Sequence, residues 1–188
     1  MSYSISKSEY LSRIKNLQKK LVENDLDAYI VHGTSCTYEN LRYLTYHWPL
    51  FEVGGAIIPQ EGEAILLIGA EAPGFASESA LGDNFCIMKE YGHTFDIAWE
   101  GVHYTTFSEL FDRISNGRGI KRIGMGDYST TPIGVYNSIK SALLPGGEII
   151  RAEDLMYDLR MNKSVDEIRI IKQANIINEQ IFDEFLGQ

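Results

Sequence analysis

The chain has 188 residues, 17 Lys+Arg against 26 Asp+Glu for a formal net charge of −9, and 44% hydrophobic residues. That length suits one generous domain, or a domain with an appendage, and the composition supports a packed core rather than disorder. The acidic balance excludes a nucleic-acid footprint, which needs a basic face; Lys15, Lys19 and Lys20 cluster only as the solvated side of a helix.

The first residues are polar and carry no basic-then-apolar leader, and no apolar run nears the ~18 residues of a membrane span. Residues 6–24 read as an amphipathic helix. Ser6 and Glu9 form a capping box, and Leu11, Ile14, Leu17 and Leu21 recur at helical spacing. Residues 28–31 form a short apolar run, hence a buried strand. Residues 39–44 follow as a short helix or turn. Residues 53–59 and 64–69 flank Gln60-Glu61-Gly62-Glu63, a loop of hairpin length. Residues 71–81 read as a helix broken by Pro73-Gly74 at its start, and 85–88 as a strand. Thr105 or Thr106 caps a helix through Phe107, Leu110, Phe111 and Ile114, stopped at Asn116-Gly117. Residues 121–125 form a strand. Thr131-Pro132 supplies an N-cap and a first-turn proline for a helix through Val135, Ile139 and Leu143. Residues 148–151 make the last strand and 154–160 a short helix. Alternating helices and strands with one embedded hairpin predict an α/β fold with a mixed, mostly parallel sheet flanked by helices.

The final segment reads as a long helix with an unusually broad apolar surface. Ser164 and Glu167 form another capping box, and Ile168, Ile170, Ile171, Ala174, Ile177, Ile181, Phe182 and Phe185 follow. At about 100° per residue these fill roughly half the circumference, against the ~100° stripe of an ordinary surface helix. Such a helix wants neighbours on two sides, so Ile170, Ile177, Ile181 and Phe185 are expected to lie partly exposed or to be covered by self-association.

Few residues carry recognisable chemistry. Gly124-Met125-Gly126 follows a strand, but Ser129 stands where a dinucleotide fingerprint needs its third glycine, so a sharp strand-end turn is the simpler reading. His32, His47, His93 and His103 show no helical metal-pair spacing, and Asp96, three residues after His93, falls in a loop. Two cysteines, Cys36 and Cys86, fit a reducing, cytoplasmic setting. Cys36 has His32 nearby in sequence and is the one nucleophile with a base at hand, though an inert thiol is the commoner role. The loop Tyr46-His47-Trp48-Pro49-Leu50-Phe51-Glu52 concentrates bulky rings before the hairpin. It is either a contact surface or a cap on the core.

Asn40-Leu41-Arg42-Tyr43-Leu44-Thr45, after a helix and a strand, resembles the N-terminal domain of the creatinase, prolidase and aminopeptidase P family of pita-bread metallohydrolases. The run from Leu159 through Ile168, with Ile171, Ala174 and Phe182, resembles the segment that joins that domain to the catalytic one. The resemblance implies a ribonuclease-H-like sheet motif in residues 1–158, and a linker with the first helix toward a catalytic domain in 159–188. It implies a homodimer in which this domain covers the neighbouring subunit's active site. It also implies a pair of divalent metals (Mn, Co or Zn) held by two Asp, one His and two Glu in the catalytic domain, hydrolysing peptides, often at Xaa-Pro bonds, or small amides. None of those ligands maps onto this chain, so no catalytic residue, metal ligand or cofactor is expected within it. The family motif often has Gly where this sequence has Tyr46. His47, Trp48, Phe51 and Glu52 are the residues expected to reach a partner subunit's substrate. The alternative is a protein- or peptide-binding module from a non-catalytic relative; a free-standing thiol hydrolase using Cys36 stands third.

Overall fold

The computed structural model describes residues 4–50, 53–93 and 98–187. Its elements run α1 (Lys7–Glu23), β1 (Ala28–Gly33), α2 (Glu39–Thr45), β2 (Gly54–Pro59), β3 (Ile65–Ile68), α3 (Pro73–Ser77) and β4 (Phe85–Ile87). After a 3-10 turn at Lys89–Tyr91 come α4 (Phe107–Ser115), β5 (Arg122–Met125), α5 (Ile133–Ala142), β6 (Glu148–Arg151), α6 (Glu153–Met161) and α7 (Val165–Leu186).

One six-stranded sheet has the order β4-β3-β2-β1-β5-β6. The pairs β3–β4, β1–β5 and β5–β6 are parallel, while β2 runs antiparallel to both β1 and β3. Strand alternation splits the core into two faces. Tyr29, Val31, Ala56, Ile58, Leu66 and Ile68 face α1, α2 and α6. Ala28, Ile30, Ile57, Leu67, Ile123 and Met125 face α4 and α5. The chain therefore leaves β1 toward one face through α2, and leaves β5 toward the other through α5. This is a topological switch point at the carboxyl ends of two adjacent parallel strands.

Local signals explain most boundaries. The Ser6 hydroxyl accepts from the Glu9 amide, and both Thr106–Glu109 and Ser164–Glu167 close complete capping boxes. Two boundaries differ from expectation. Pro132, not Thr131, precedes the first turn of α5, because the Thr131 hydroxyl donates back to the Asp127 carbonyl at 2.8 Å. The helix expected over residues 71–81 shrinks to five residues. Pro73 starts it, and the Ser77 hydroxyl then bonds the Pro73 carbonyl and the Asp83 carboxylate, favouring turns over another helical round.

Gly124-Met125-Gly126 also finds its reason here. A Cβ at Gly124 would stand 2.7 Å from the Tyr29 ring, and one at Gly126 would stand 2.6 Å from its hydroxyl. The glycines make a seat for Tyr29, which lies across β5 and donates to the Ala152 carbonyl at 2.7 Å.

Candidate functional site

The ring-rich loop begins where α2 ends. Tyr46 is the C-cap of that helix at φ 65°, in the left-handed region that favours glycine. Its amide still closes on the Arg42 carbonyl at 2.8 Å. Tyr38, Arg42 and Tyr46 are spaced by four residues, so one face of the helix presents them together. The Arg42 guanidinium lies 5.9 Å from the Tyr38 ring centre, 5.7 Å from Tyr46 and 5.2 Å from Trp48. Trp48 packs on Tyr38 at 4.9 Å. Trp48 is 39% exposed and Tyr46 46% exposed, so the cluster faces solvent.

The expected contact residues separate. Trp48 lies on this surface. His47 turns inward, 3% exposed; its amide donates to the Thr45 hydroxyl, and burial pushes the imidazole pKa down against a hydrogen bond with the Phe75 backbone. Phe51 and Glu52 lie outside the described residues, as does Asp96. Arg42 and Tyr38 were not singled out in the sequence, although their four-residue spacing with Tyr46 was a usable signal.

Beside this cluster, α1, α2 and the start of α7 enclose a cleft of about 400 Å³. Arg13, Arg42 and Arg160 reach it, with Tyr10 and Tyr43 as apolar walls. Arg13 is buried, with Nε and one terminal nitrogen hydrogen-bonded. It donates to Glu9 at 3.1 Å and to the Tyr43 carbonyl at 2.9 Å, stands 3.5 Å from Glu167, and stacks on Tyr43 at 4.2 Å. The Glu167 contact is an ion pair too long and bent to count as a hydrogen bond.

Deeper, the switch point is closed by a polar chain. The Arg160 guanidinium donates to Asn40 Oδ1 at 2.8 Å. Asn40 Nδ2 donates to Asp127 Oδ1 at 2.8 Å, and the His32 amide donates to Asp127 Oδ2 at 3.1 Å. Burial pushes Asp127 up to about 6 despite these bonds, and burial lowers His32 to about 4. The His32 ring, 5.9 Å from that of Tyr91, has no hydrogen-bond partner on either nitrogen among the described residues. Both Asp127 oxygens are engaged and Asn40 is buried, so the network ties the strand ends to α2 and α6.

Cys36 is exposed, 3.8 Å from the Ser35 hydroxyl, whereas His32 is buried, so a thiol–imidazole pair is not assembled. No three His, Cys, Asp or Glu side chains gather to hold a metal among the described residues. A divalent metal pair therefore has no seat there. None of the described helices is long and apolar enough to cross a membrane.

The family model described as Creatinase/Prolidase N-terminal domain matches residues 13–162. No curated protein matches by sequence. Among solved structures, the prolidase from Pyrococcus horikoshii OT3 superposes with a TM-score of 0.61 at 22% identity, covering 90% of this chain and 40% of that one. The Xaa-Pro dipeptidase from Bacillus anthracis gives 0.64 at 20% identity, over 95% of this chain and 43% of the other. The N-terminal domain of the cytoplasmic peptidase PepQ from Mycobacterium tuberculosis H37Rv gives 0.56 at 18% identity, covering 79% and 98%. The chain thus spans less than half of the two long enzymes and nearly all of the isolated domain. At these identities the superpositions speak for the fold, while the sequence model covers 150 of 188 residues (13 to 162 inclusive); the chain belongs to the creatinase/prolidase N-terminal domain family.

Proposed function

We propose that this chain is the non-catalytic N-terminal domain of a metal-dependent Xaa-Pro dipeptidase, aminopeptidase or creatinase-like hydrolase that works in the cytoplasm as a homodimer. Residues 1–158 form the domain proper and 159–188 the linker and first helix toward a catalytic domain, which would hold the divalent metal pair. The observation that carries the reading is the family match over residues 13–162 followed by α7, in which no residue is buried. A helix of 22 residues with Ile177 45%, Ile181 58% and Phe185 75% exposed fits a surface awaiting a second domain.

In this reading the domain supports dimerisation and covers the partner subunit's active site. The candidate contacts to the partner subunit's substrate are His47, Trp48, Phe51 and Glu52, and of these Trp48 is exposed and His47 buried. Trp is the residue type that most often anchors such contacts. The alternative, a peptide-binding module from a relative without metal ligands, rests on the exposed aromatic cluster alone. The test is the reading frame across Gln188. Continuation through two Asp, one His and two Glu, with Mn(II)-dependent cleavage of an Xaa-Pro dipeptide, supports the enzyme reading. Trp48→Ala is then expected to raise KM by about tenfold while kcat stays within about twofold. An unchanged KM removes the contact role, and a frame without those ligands favours the binding module.

A further inference from the structure

We propose that the cleft between α1, α2 and α7 binds a single carboxylate carried next to an apolar ring, such as the free carboxyl end of a peptide closing on an aromatic residue. This site is lined by residues of this chain alone. Its volume of about 400 Å³ falls within the ~300–1,000 Å³ of small-ligand pockets.

The cleft brings uncommitted positive charge together. Acidic residues outnumber basic ones by nine in this molecule, so two arginines without acidic partners in one cleft make a local positive spot on an acidic chain. Arg13 is neutralised by Glu9 and Glu167. Arg42 and Arg160 also line the cleft, and neither stands within ion-pair distance of a carboxylate among the described residues; Arg160 spends one donor on Asn40. Arg42 stands over the rings of Tyr38, Tyr46 and Trp48 at 5.2–5.9 Å. None of its side-chain N–H donors is hydrogen-bonded among the described residues, and a guanidinium with free donors can grip a carboxylate with two parallel hydrogen bonds. The guanidinium is thus fixed before a ligand arrives, which lowers the entropy lost on binding.

The neighbours define the class of ligand. Half-buried Tyr43 and exposed Tyr46 line the same cleft and offer ring surface to an apolar group beside the carboxylate. Glu39 stands exposed at the rim, and its charge disfavours any ligand more negative than a monoanion, so inorganic phosphate is a poor fit. Tyr46 supplies independent support. A tyrosine kept at φ 65° is strained, and the strain is explained if its ring is needed as a wall of the site.

The test titrates the chain, carrying Trp99→Phe so that Trp48 alone reports, with N-acetylphenylalanine and follows tryptophan fluorescence. A saturable change is expected, with N-acetylphenylalaninamide, acetate and inorganic phosphate each at least about tenfold weaker. Arg42→Gln should weaken binding by about tenfold or more, and Glu39→Gln should tighten it by about threefold. Tyr46→Gly should weaken binding while the thermal midpoint holds or rises, which separates loss of the site from loss of the fold. The proposal is overturned by no saturable response, by equal binding of the amide or of phosphate, or by a folded Arg42→Gln chain that binds like the parent.

Discussion

Asp127 and His32 meet at the end of β1 with their pKa values displaced in opposite directions, and the two displacements act on stability with opposite sign. The folded chain holds a proton on Asp127 up to about pH 6, above the ordinary carboxylate value of 3.8. Ionising it costs the folded state more than the unfolded one, so its contribution to stability rises as pH falls from about 6 to about 4. The folded chain resists protonating His32 down to about pH 4, against an ordinary 6.5. That contribution falls over nearly the same interval. The parent protein should therefore show a shallow profile between pH 4 and 6.5, and His32→Phe should become relatively more stable than the parent as pH drops through this window. Urea midpoints measured at pH 7 and pH 5 check this; a midpoint difference, His32→Phe minus parent, that does not rise from pH 7 to pH 5 counts against a buried neutral imidazole. Neither displacement is visible in a list of four histidines. It depends on Tyr91 closing over His32, a contact between residues 59 positions apart. Tyr46 differs: its presence in place of the family's glycine is legible in sequence, but the positive φ that makes it costly appears only where α2 ends.

The elements divide by how local their causes are. The box at Ser164 works within three residues, and the hairpin around Gly62 works within a short loop, so sequence signatures are enough for both, while the structure decides between Thr105 and Thr106 as the cap of α4. Thr131 looked like the same kind of cap. Its hydroxyl was claimed by the Asp127 carbonyl, a local competitor that residue types alone do not reveal. The place of β5 beside β1 had no local signal, because a parallel neighbour arrives through a long crossover. Glu167 serves two ends at once: it accepts from the Ser164 amide at 2.9 Å and pairs with Arg13 of α1. These roles separate experimentally. Ser164→Ala should cost about 1 kcal/mol of local helix stability and speed amide exchange in the first turn of α7 by roughly fivefold. Glu167→Gln keeps a residue able to complete the box, so exchange there should change little while the thermal midpoint falls through the loss of charge opposite buried Arg13.

At the scale of the whole molecule, two well-packed sheet faces stand beside a helix that packs on almost nothing. Ile181, Phe182, Phe185 and Leu186 are each more than half exposed. In the chain alone this apolar flank is expected to drive self-association, seen as a sedimentation coefficient that rises with protein concentration. Replacing Ile177, Ile181 and Phe185 together with Gln should abolish that rise while the domain's unfolding midpoint stays unchanged, since none of the three touches the core. The anchorage of α7 is also uneven. Its first turn is tied down by the cap, by Arg13 and by a long contact from the Ser6 amide to Asp166. Arg169 adds a bond to the Ser4 carbonyl at 3.2 Å. The stretch beyond Arg169, about 25 Å at about 1.5 Å per residue, has no buried residue among those described. It is a lever pivoting on these contacts: a tilt of about 10° there carries Leu186 roughly 4 Å sideways, given that rise per residue. The far end of the helix inherits its angular tolerance from the contacts around Arg13, Ser4 and Ser6, so a substitution at buried Arg13 would be felt most at the greatest distance from it.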